Sequence, residues 1–122
     1  MLKKVLIIDD SPAQIKLMQG LLEREGYSPV GLSDPKRVEE TVASVRPSVI
    51  LLDVVMPGLS GPELAERIVS LSPGLRVLYV SGYMDSNARP QSGAFLQKPF
   101  PAEALASKVR EVLASENLAR PN

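Results

Sequence analysis

The 122-residue sequence predicts an α/β domain built on a parallel β-sheet with helices on both faces. Short apolar runs alternate about five times with segments of helical periodicity, and the runs lack polar alternation. Such continuous apolar runs are typical of parallel strands that are covered on both sides. The strand–helix alternation favours right-handed crossovers. No linker is visible, so we expect a single domain over residues 1–122, with a core at about 3–115 and a frayed tail at 116–122.

The first strand and helix are predicted from the N-terminal segment. Residues 5–8 form an aliphatic, partly β-branched run that ends at two aspartates. Ser11 followed by Pro12 supplies an N-cap and a first helical residue. Gly26 is expected to end this helix. The apolar residues at helical spacing between these limits are Ile15, Met18, Leu21 and Leu22.

The second and third strand–helix units follow the same pattern. Residues 27–32 contain a weaker strand, and Asp34 before a proline opens the second helix. Residues 48–53 give the strongest strand signal. Residues 56–61 are rich in turn-forming residue types, and a third helix is expected from Pro62. The residues expected to face the core are Val38, Val42 and Val45 in the second helix and Leu64, Ile68, Val69 and Leu71 in the third.

Two further strands are predicted at residues 76–81 and 94–97, and a last helix begins near Pro101. The core positions of that helix are Leu105, Val109, Val112 and Leu113. Residues 82–94, between the two strands, are few, interrupted by Pro90 and almost without an apolar stripe. A full-length helix cannot form there, so we expect the helix of this fourth crossover to be shortened or disordered.

Composition excludes several classes of function. The 14 basic and 14 acidic residues give no net charge, so neither nucleic acid nor an anionic membrane is an expected partner. The absence of histidine and cysteine excludes a Ser-His-Asp triad, a Cys-His dyad and thiolate metal sites. Any metal site must use oxygen ligands, which Mg²⁺, Ca²⁺ and Mn²⁺ prefer. No apolar run is long enough to span a membrane, and the expected location is the cytoplasm.

Polar side chains stand where four of the five predicted strands end. Asp9 and Asp10 follow the first strand, Asp53 ends the third, Ser81 ends the fourth and Lys98 follows the fifth. The carboxyl ends of parallel strands share one edge, where ligands bind. Three carboxylates within about 5 Å repel one another by several kcal/mol unless a cation is present. A divalent ion beside Lys98 would relieve this repulsion and suit a phosphoryl group.

Taken one at a time, some of these residues have simpler explanations. Asp10 could cap the first helix, Asp9 could be a turn residue, and Ser81 and Lys98 could be ordinary surface residues. Asp53 is harder to explain in this way, because apolar residues surround it in the sequence. Their joint placement at one edge favours a functional site.

With these residues in place, the chain resembles the receiver domain of bacterial two-component systems. The resemblance rests on residues 5–11, 50–61, 80–83 and 95–100 and extends over about 3–115. It implies a flavodoxin-like fold with five parallel strands in the order 2-1-3-4-5, and a signalling switch rather than a metabolic enzyme. Some of these segments are also similar to receivers at the C-termini of hybrid histidine kinases.

The resemblance also implies roles for the acidic residues. Asp53 is the expected phosphoacceptor, which would form an aspartyl phosphate. Asp10, Asp53 and the backbone carbonyl of Val55 are the expected ligands of Mg²⁺, for which Mn²⁺ can substitute. Asp9 is expected to act through a metal-bound water.

The remaining roles fall on the later strands. Ser81 and Lys98 are expected to contact phosphoryl oxygens, and together with Asp53 they form the expected catalytic set. Ser81 and Phe95 are the expected switch residues, although Phe95 also suits core packing. The resemblance further implies a cis peptide bond before Pro99.

The partner implied by the resemblance is a histidine kinase or a histidine phosphotransfer domain, whereas the downstream protein is unknown. The chain is either a stand-alone regulator or a receiver of a hybrid kinase. One alternative is a degenerate receiver that binds proteins without phosphorylation. An aspartate-dependent phosphatase would need a second aspartate where Val55 stands, and a flavin or nucleotide binder would need a Gly-rich loop after the first strand.

Overall fold

The computed structural model describes residues 2–53, 55–56, 59–71, 74–81, 94–98 and 100–119. The strands of its central sheet are β1 (Lys4–Ile8), β2 (Ser28–Leu32), β3 (Val49–Asp53), β4 (Arg76–Ser81) and β5 (Ala94–Gln97). The helices in the described ranges are α1 (Pro12–Arg24), α2 (Val38–Val45), α3 (Gly61–Leu71) and α4 (Ala102–Ala119). A 3₁₀ turn at Pro35–Arg37 leads into α2.

The five strands are all parallel and lie in the order β2-β1-β3-β4-β5. This arrangement confirms the predicted flavodoxin-like fold and its strand order. The central position of β3 explains its sequence, because every residue of this strand is buried. Strand β2 lies at one side of the sheet and is only partly buried, which accounts for its weaker apolar signal.

Two apolar clusters fill the space between the sheet and its helices. On one face, alternate residues of β1 and β3 pack with α1 and α4. On the other face, the intervening residues of the same strands pack with α2 and α3. Because successive side chains of a strand point to opposite faces, an uninterrupted apolar run serves both clusters. Helices therefore cover both faces, as the sequence predicted.

The starts of the first two helices follow the predicted capping pattern, with one difference. Ser11 is the N-cap of α1, and its hydroxyl accepts a hydrogen bond of 3.4 Å from the Gln14 amide. Gly26 follows the C-cap of this helix with a φ of 90°, a conformation that favours glycine. Asp34 caps the 3₁₀ turn instead of α2, which begins at Val38. A first turn with 3₁₀ geometry is frequent at helix N-termini.

Two predictions about residues 56–71 are wrong in detail. Helix α3 buries Leu64, Ala65 and Ile68, whereas Val69 is 39% exposed and Leu71 is 54% exposed. Val69 lies about 140° around the helix from Leu64, and Leu71 is the last helical residue. In addition, Val55–Met56 pairs with Leu59–Ser60 as a two-residue antiparallel ladder, where the sequence indicated only a loop.

Several predictions concern residues outside those that the structure describes. Residues 82–93, which contain the fourth crossover, and Pro99 with its expected cis bond lie outside them.

Helix α4 reaches Ala119, beyond the expected end of the core near residue 115. None of the helices in the described ranges is long and apolar enough to cross a membrane.

Candidate functional site

The register of the sheet brings the predicted site residues to one edge. Ile8, the last residue of β1, pairs with Leu52 of β3, so Asp9 and Asp53 follow at the same level. Asp53 in turn pairs with Val80 of β4. The next residue, Ser81, ends β4, and Lys98 comes directly after β5. The carboxyl ends of four strands thus meet where ligands bind in open parallel sheets.

Asp9 is the most enclosed of the acids at this edge. Only 1% of the residue is exposed. Its Oδ1 accepts a hydrogen bond of 2.9 Å from the Ser11 amide, and its Oδ2 lies 2.8 Å from Nζ of Lys98. The Asp9 amide donates to the Leu32 carbonyl at the end of β2. A buried charge requires such compensation, so these contacts hold the carboxylate in one orientation.

Asp10 and Asp53 complete an acidic cluster with Asp9. One carboxylate oxygen of each residue lies within 4.8 Å of those of the other two. The three environments differ, because Asp10 is exposed while Asp53 is 8% exposed and Asp9 is buried. The cluster thus has a closed side at Asp9 and an open side at Asp10.

The donor set of this cluster fits a hard divalent cation. Carboxylate oxygens are the ligands that Mg²⁺ and Ca²⁺ prefer, and Mg–O distances are about 2.0–2.1 Å. The limit of 4.8 Å between the oxygens is somewhat more than twice that distance, so the three carboxylates can surround one small cation through water, or directly once they move slightly closer together. Lys98 neutralises one of the three negative charges. A cation would compensate the remaining two.

The structure places the other predicted residues to different extents. For Ser81 and Val55 it describes the backbone, which ends β4 and begins the short ladder, respectively. Phe95 is partly buried, lies opposite Tyr79 in the sheet and packs against the cluster on the α2–α3 face. Its predicted contribution to core packing is therefore confirmed.

Burial raises the pKa of the Tyr79 hydroxyl, and the carboxylate of Glu66 acts in the same direction.

Two features of the site were missed at the level of sequence. One is the ion pair between Asp9 and Lys98, since the sequence predicts only a phosphoryl oxygen as the contact of Lys98. The other is the Ser11 amide, which orients Asp9 in a local turn. An aspartate two residues before a helix N-cap was the available signal for the second. Nothing local signals the first, because 89 residues separate its partners.

Comparison with known proteins identifies the family. The family model for the response regulator receiver domain matches residues 5–110. The chain belongs to this family. Receiver domains are signalling switches of two-component systems rather than metabolic enzymes, as the sequence predicted.

Individual relatives agree with this assignment. The C4-dicarboxylate transport transcriptional regulatory protein DctD of Pseudomonas aeruginosa is 32% identical, over 98% of this chain and 27% of that protein. The response regulator receiver protein CpdR of Brucella abortus is 27% identical, over 92% of this chain and 98% of that protein. A crystal structure of a CheY-like receiver domain from Methanospirillum hungatei matches with a TM-score of 0.84 and 27% identity, covering 98% of this chain and all of that one.

The chain covers different shares of the lengths of its relatives. It spans 27% of DctD and 52% of the Bacillus subtilis regulator PhoP, which are both described as transcriptional regulatory proteins. Another relative, MtrA of Mycolicibacterium smegmatis, is described as a DNA-binding response regulator. The expectation that nucleic acid is not a partner therefore stays a prediction.

Proposed function

We propose that the chain accepts a phosphoryl group on Asp53 from a histidine kinase or a histidine phosphotransfer domain, and that this changes its contacts with other proteins. The observation that carries the proposal is the cluster of Asp9, Asp10 and Asp53, with Lys98 paired to its buried member. Receiver domains as a family interact with such phosphodonors. The proposed location is the cytoplasm.

The environments of the three acids favour Asp53 as the acceptor. Asp9 is buried, with one oxygen bound to the Ser11 amide and the other to Lys98. Asp10 is exposed and lies between β1 and α1, outside any regular element. Asp53 is the last residue of the central strand β3 and keeps a small exposed fraction, so a rigid element holds it while a donor can reach it.

The cluster is proposed to hold Mg²⁺, or Mn²⁺ in its place. Asp10, Asp53 and the backbone carbonyl of Val55 would be its protein ligands, with Asp9 contributing through water. The cation would withdraw charge from phosphoryl oxygens and neutralise the carboxylates during transfer.

The donor in the proposed transfer is a phosphohistidine. A carboxylate oxygen of Asp53 attacks phosphorus, the new O–P bond forms and the P–N bond breaks, with the electron pair left on the imidazole nitrogen. Lys98 then has a second acceptor beside Asp9, namely a phosphoryl oxygen. The hydroxyl of Ser81 would donate to another, and Phe95 would respond to its movement as the switch residue.

The experiment is intact-mass measurement after incubation with acetyl phosphate and Mg²⁺. We expect the wild type to gain one phosphoryl group and Asp53→Asn to gain none, because the amide is not a nucleophile for this reaction. Asp34→Asn is the matched control, since Asp34 lies outside the cluster and asparagine also serves as an N-cap. This control should gain a phosphoryl group like the wild type.

A different outcome would change the proposed function. If the wild type gains no mass and Mg²⁺ titration shows no binding, the phosphorylation-independent interaction module becomes the better description. Addition to Asp53→Asn at the wild-type level would place the acceptor elsewhere.

The extent of the protein is also part of the proposal. We propose one receiver domain over residues 1–122, with its core at about 3–115. It would act as a stand-alone regulator or as a receiver of a hybrid kinase. Related domains occur both in short proteins such as CpdR, of which this chain covers 98%, and within longer ones such as DctD, of which it covers 27%.

A further inference from the structure

A surface groove between α2 and α3 lies apart from the acidic cluster. It has a volume of about 480 Å³ and is lined by Glu39, Val42, Ala43, Arg46, Pro47 and Leu71. We call this feature the α2–α3 groove. Leu71, the residue that α3 contributes to the lining, is a large apolar side chain that is 54% exposed. Exposed apolar surface beside charged residues is a mark of interaction sites.

The charges of the groove are arranged along one stripe of α2. Glu39 and Arg46 are seven residues apart, which corresponds to two helical turns and about 10.5 Å. Val42 and Ala43 lie between them on the same stripe. Val42 is only 5% exposed and belongs to the core, whereas Ala43 is exposed, so the stripe presents a negative end, a small apolar middle at Ala43 and a positive end.

The negative end is already held in place by α3. Oε1 of Glu39 lies 2.8 Å from a guanidinium nitrogen of Arg67, and both side chains remain about half exposed. A carboxylate can accept several hydrogen bonds, so this ion pair leaves capacity for a further donor. Arg46 is exposed and adopts a left-handed conformation, with a φ of 54°, at the end of α2.

We propose that the α2–α3 groove is occupied by the same groove of a second copy of this chain. In a two-fold symmetric contact, if one residue of the first copy meets a second residue of the other copy, the reverse contact forms as well. The surface must therefore be complementary to itself. Two antiparallel α2 helices centred between Val42 and Ala43 place Glu39 of each copy opposite Arg46 of the other. Two cross-molecule ion pairs result, with the exposed Ala43 of each copy between them.

The remaining charge of α2 does not oppose this pairing. Glu40 does not line the groove; in this register it lies at the level of Val45 rather than of another acid, and its carboxylate is paired with Arg37 within its own copy. Ala43 is small and exposed, which permits close approach of the two helices. The exposed Leu71 adds apolar area beside the helix pair. The surface is small for a permanent interface, so the association should be weak and dependent on concentration.

The experiment is sedimentation equilibrium of the unphosphorylated protein between about 10 μM and about 1 mM. We expect the weight-average mass of the wild type to rise towards that of a dimer. Glu39→Arg and Arg46→Glu should each raise the apparent dissociation constant at least about tenfold, because like charges then meet across the two-fold axis. An equimolar mixture of these two variants should associate again, since each supplies the charge that the other requires.

Glu40→Arg is the matched control, because it makes the same change of charge on the same helix outside the groove. It should associate like the wild type, and circular dichroism should show that all variants are folded. The proposal is overturned if the wild type stays monomeric, if both single variants associate like the wild type, or if their mixture does not associate. Because none of these residues belongs to the acidic cluster, phosphorylation of Asp53 can succeed or fail independently.

Discussion

The interior of the sheet and its carboxyl edge differ in what holds their residues in place. Residues 49–52 of β3 are buried among the apolar residues of both helical layers, where close packing stabilises them. The next residue, Asp53, belongs to a group of three carboxylates within 4.8 Å. Apolar burial favours the folded state, whereas like charges at this distance oppose it. A single strand thus passes from a stabilising region into one whose arrangement serves function at the expense of stability.

The largest effect is expected from a substitution in the interior of the sheet. Ile50 is fully buried, and Ile50→Ala should lower the free energy of unfolding by about 2–5 kcal/mol because it leaves a cavity. Leu17→Ala is the control, since Leu17 on α1 is 56% exposed and little apolar contact is lost. Urea titration measures both changes, and this control should lower the free energy of unfolding by less than about 1 kcal/mol. Equal losses in both variants would contradict the packing argument.

A smaller effect concerns Asp9, the acid at the edge that is paired with Lys98. Lys98→Met should lower the free energy of unfolding by about 1–3 kcal/mol, because the buried Asp9 carboxylate then loses its counter-ion and keeps only the Ser11 amide. Lys108→Met is the control, since Lys108 pairs with the exposed Glu111 and surface pairs contribute about 0–1 kcal/mol. If Asp9→Asn in the Lys98→Met background restores no stability, the ion pair is not the cause.

The smallest effect of a substitution is expected at the carboxyl edge, where it should stabilise the protein. Asp53→Asn removes one of three clustered charges and should raise the free energy of unfolding by about 1 kcal/mol in the absence of divalent cations. Saturating Mg²⁺ should stabilise the wild type, by about 2.7 kcal/mol at 100 times its dissociation constant, and stabilise the variant less. Thermal denaturation with EDTA and with Mg²⁺ measures both changes. A destabilised variant in EDTA would mean that favourable contacts of the Asp53 carboxylate outweigh its repulsion by the other two acids.

Most of the fold could be predicted because its signals are local and repeated. The bounds of β4 and β5 agree with the prediction, and Ser11 with Pro12 begins α1 as expected. The prediction was wrong where an end of an element depends on its surroundings. Leu71 has the periodicity of a core residue but is the last residue of α3, and the pairing of Val55–Met56 with Leu59–Ser60 depends on a turn whose geometry no periodicity encodes.

The membership of the candidate site was also largely predictable, whereas its internal contacts were not. Asp9, Asp10 and Asp53 were expected together because parallel strands end at one edge, and the structure brings them within 4.8 Å. Which acid pairs with Lys98 was not predictable, because β3 and β4 lie between β1 and β5. The lysine reaches across the ends of these strands, so its partner depends on the twist and packing of the whole sheet.

The sequence by itself therefore determined the alternation of strands and helices and the chemical type of residue that ends each strand. Both follow from apolar periodicity and capping, which act over a few residues. Only the tertiary structure decided that Asp9 is buried and paired with Lys98 while Asp10 is exposed. It also decided that Glu39 and Arg46 border an exposed groove between two helices. Burial and pairing of this kind arise when distant segments pack, and no local pattern specifies them.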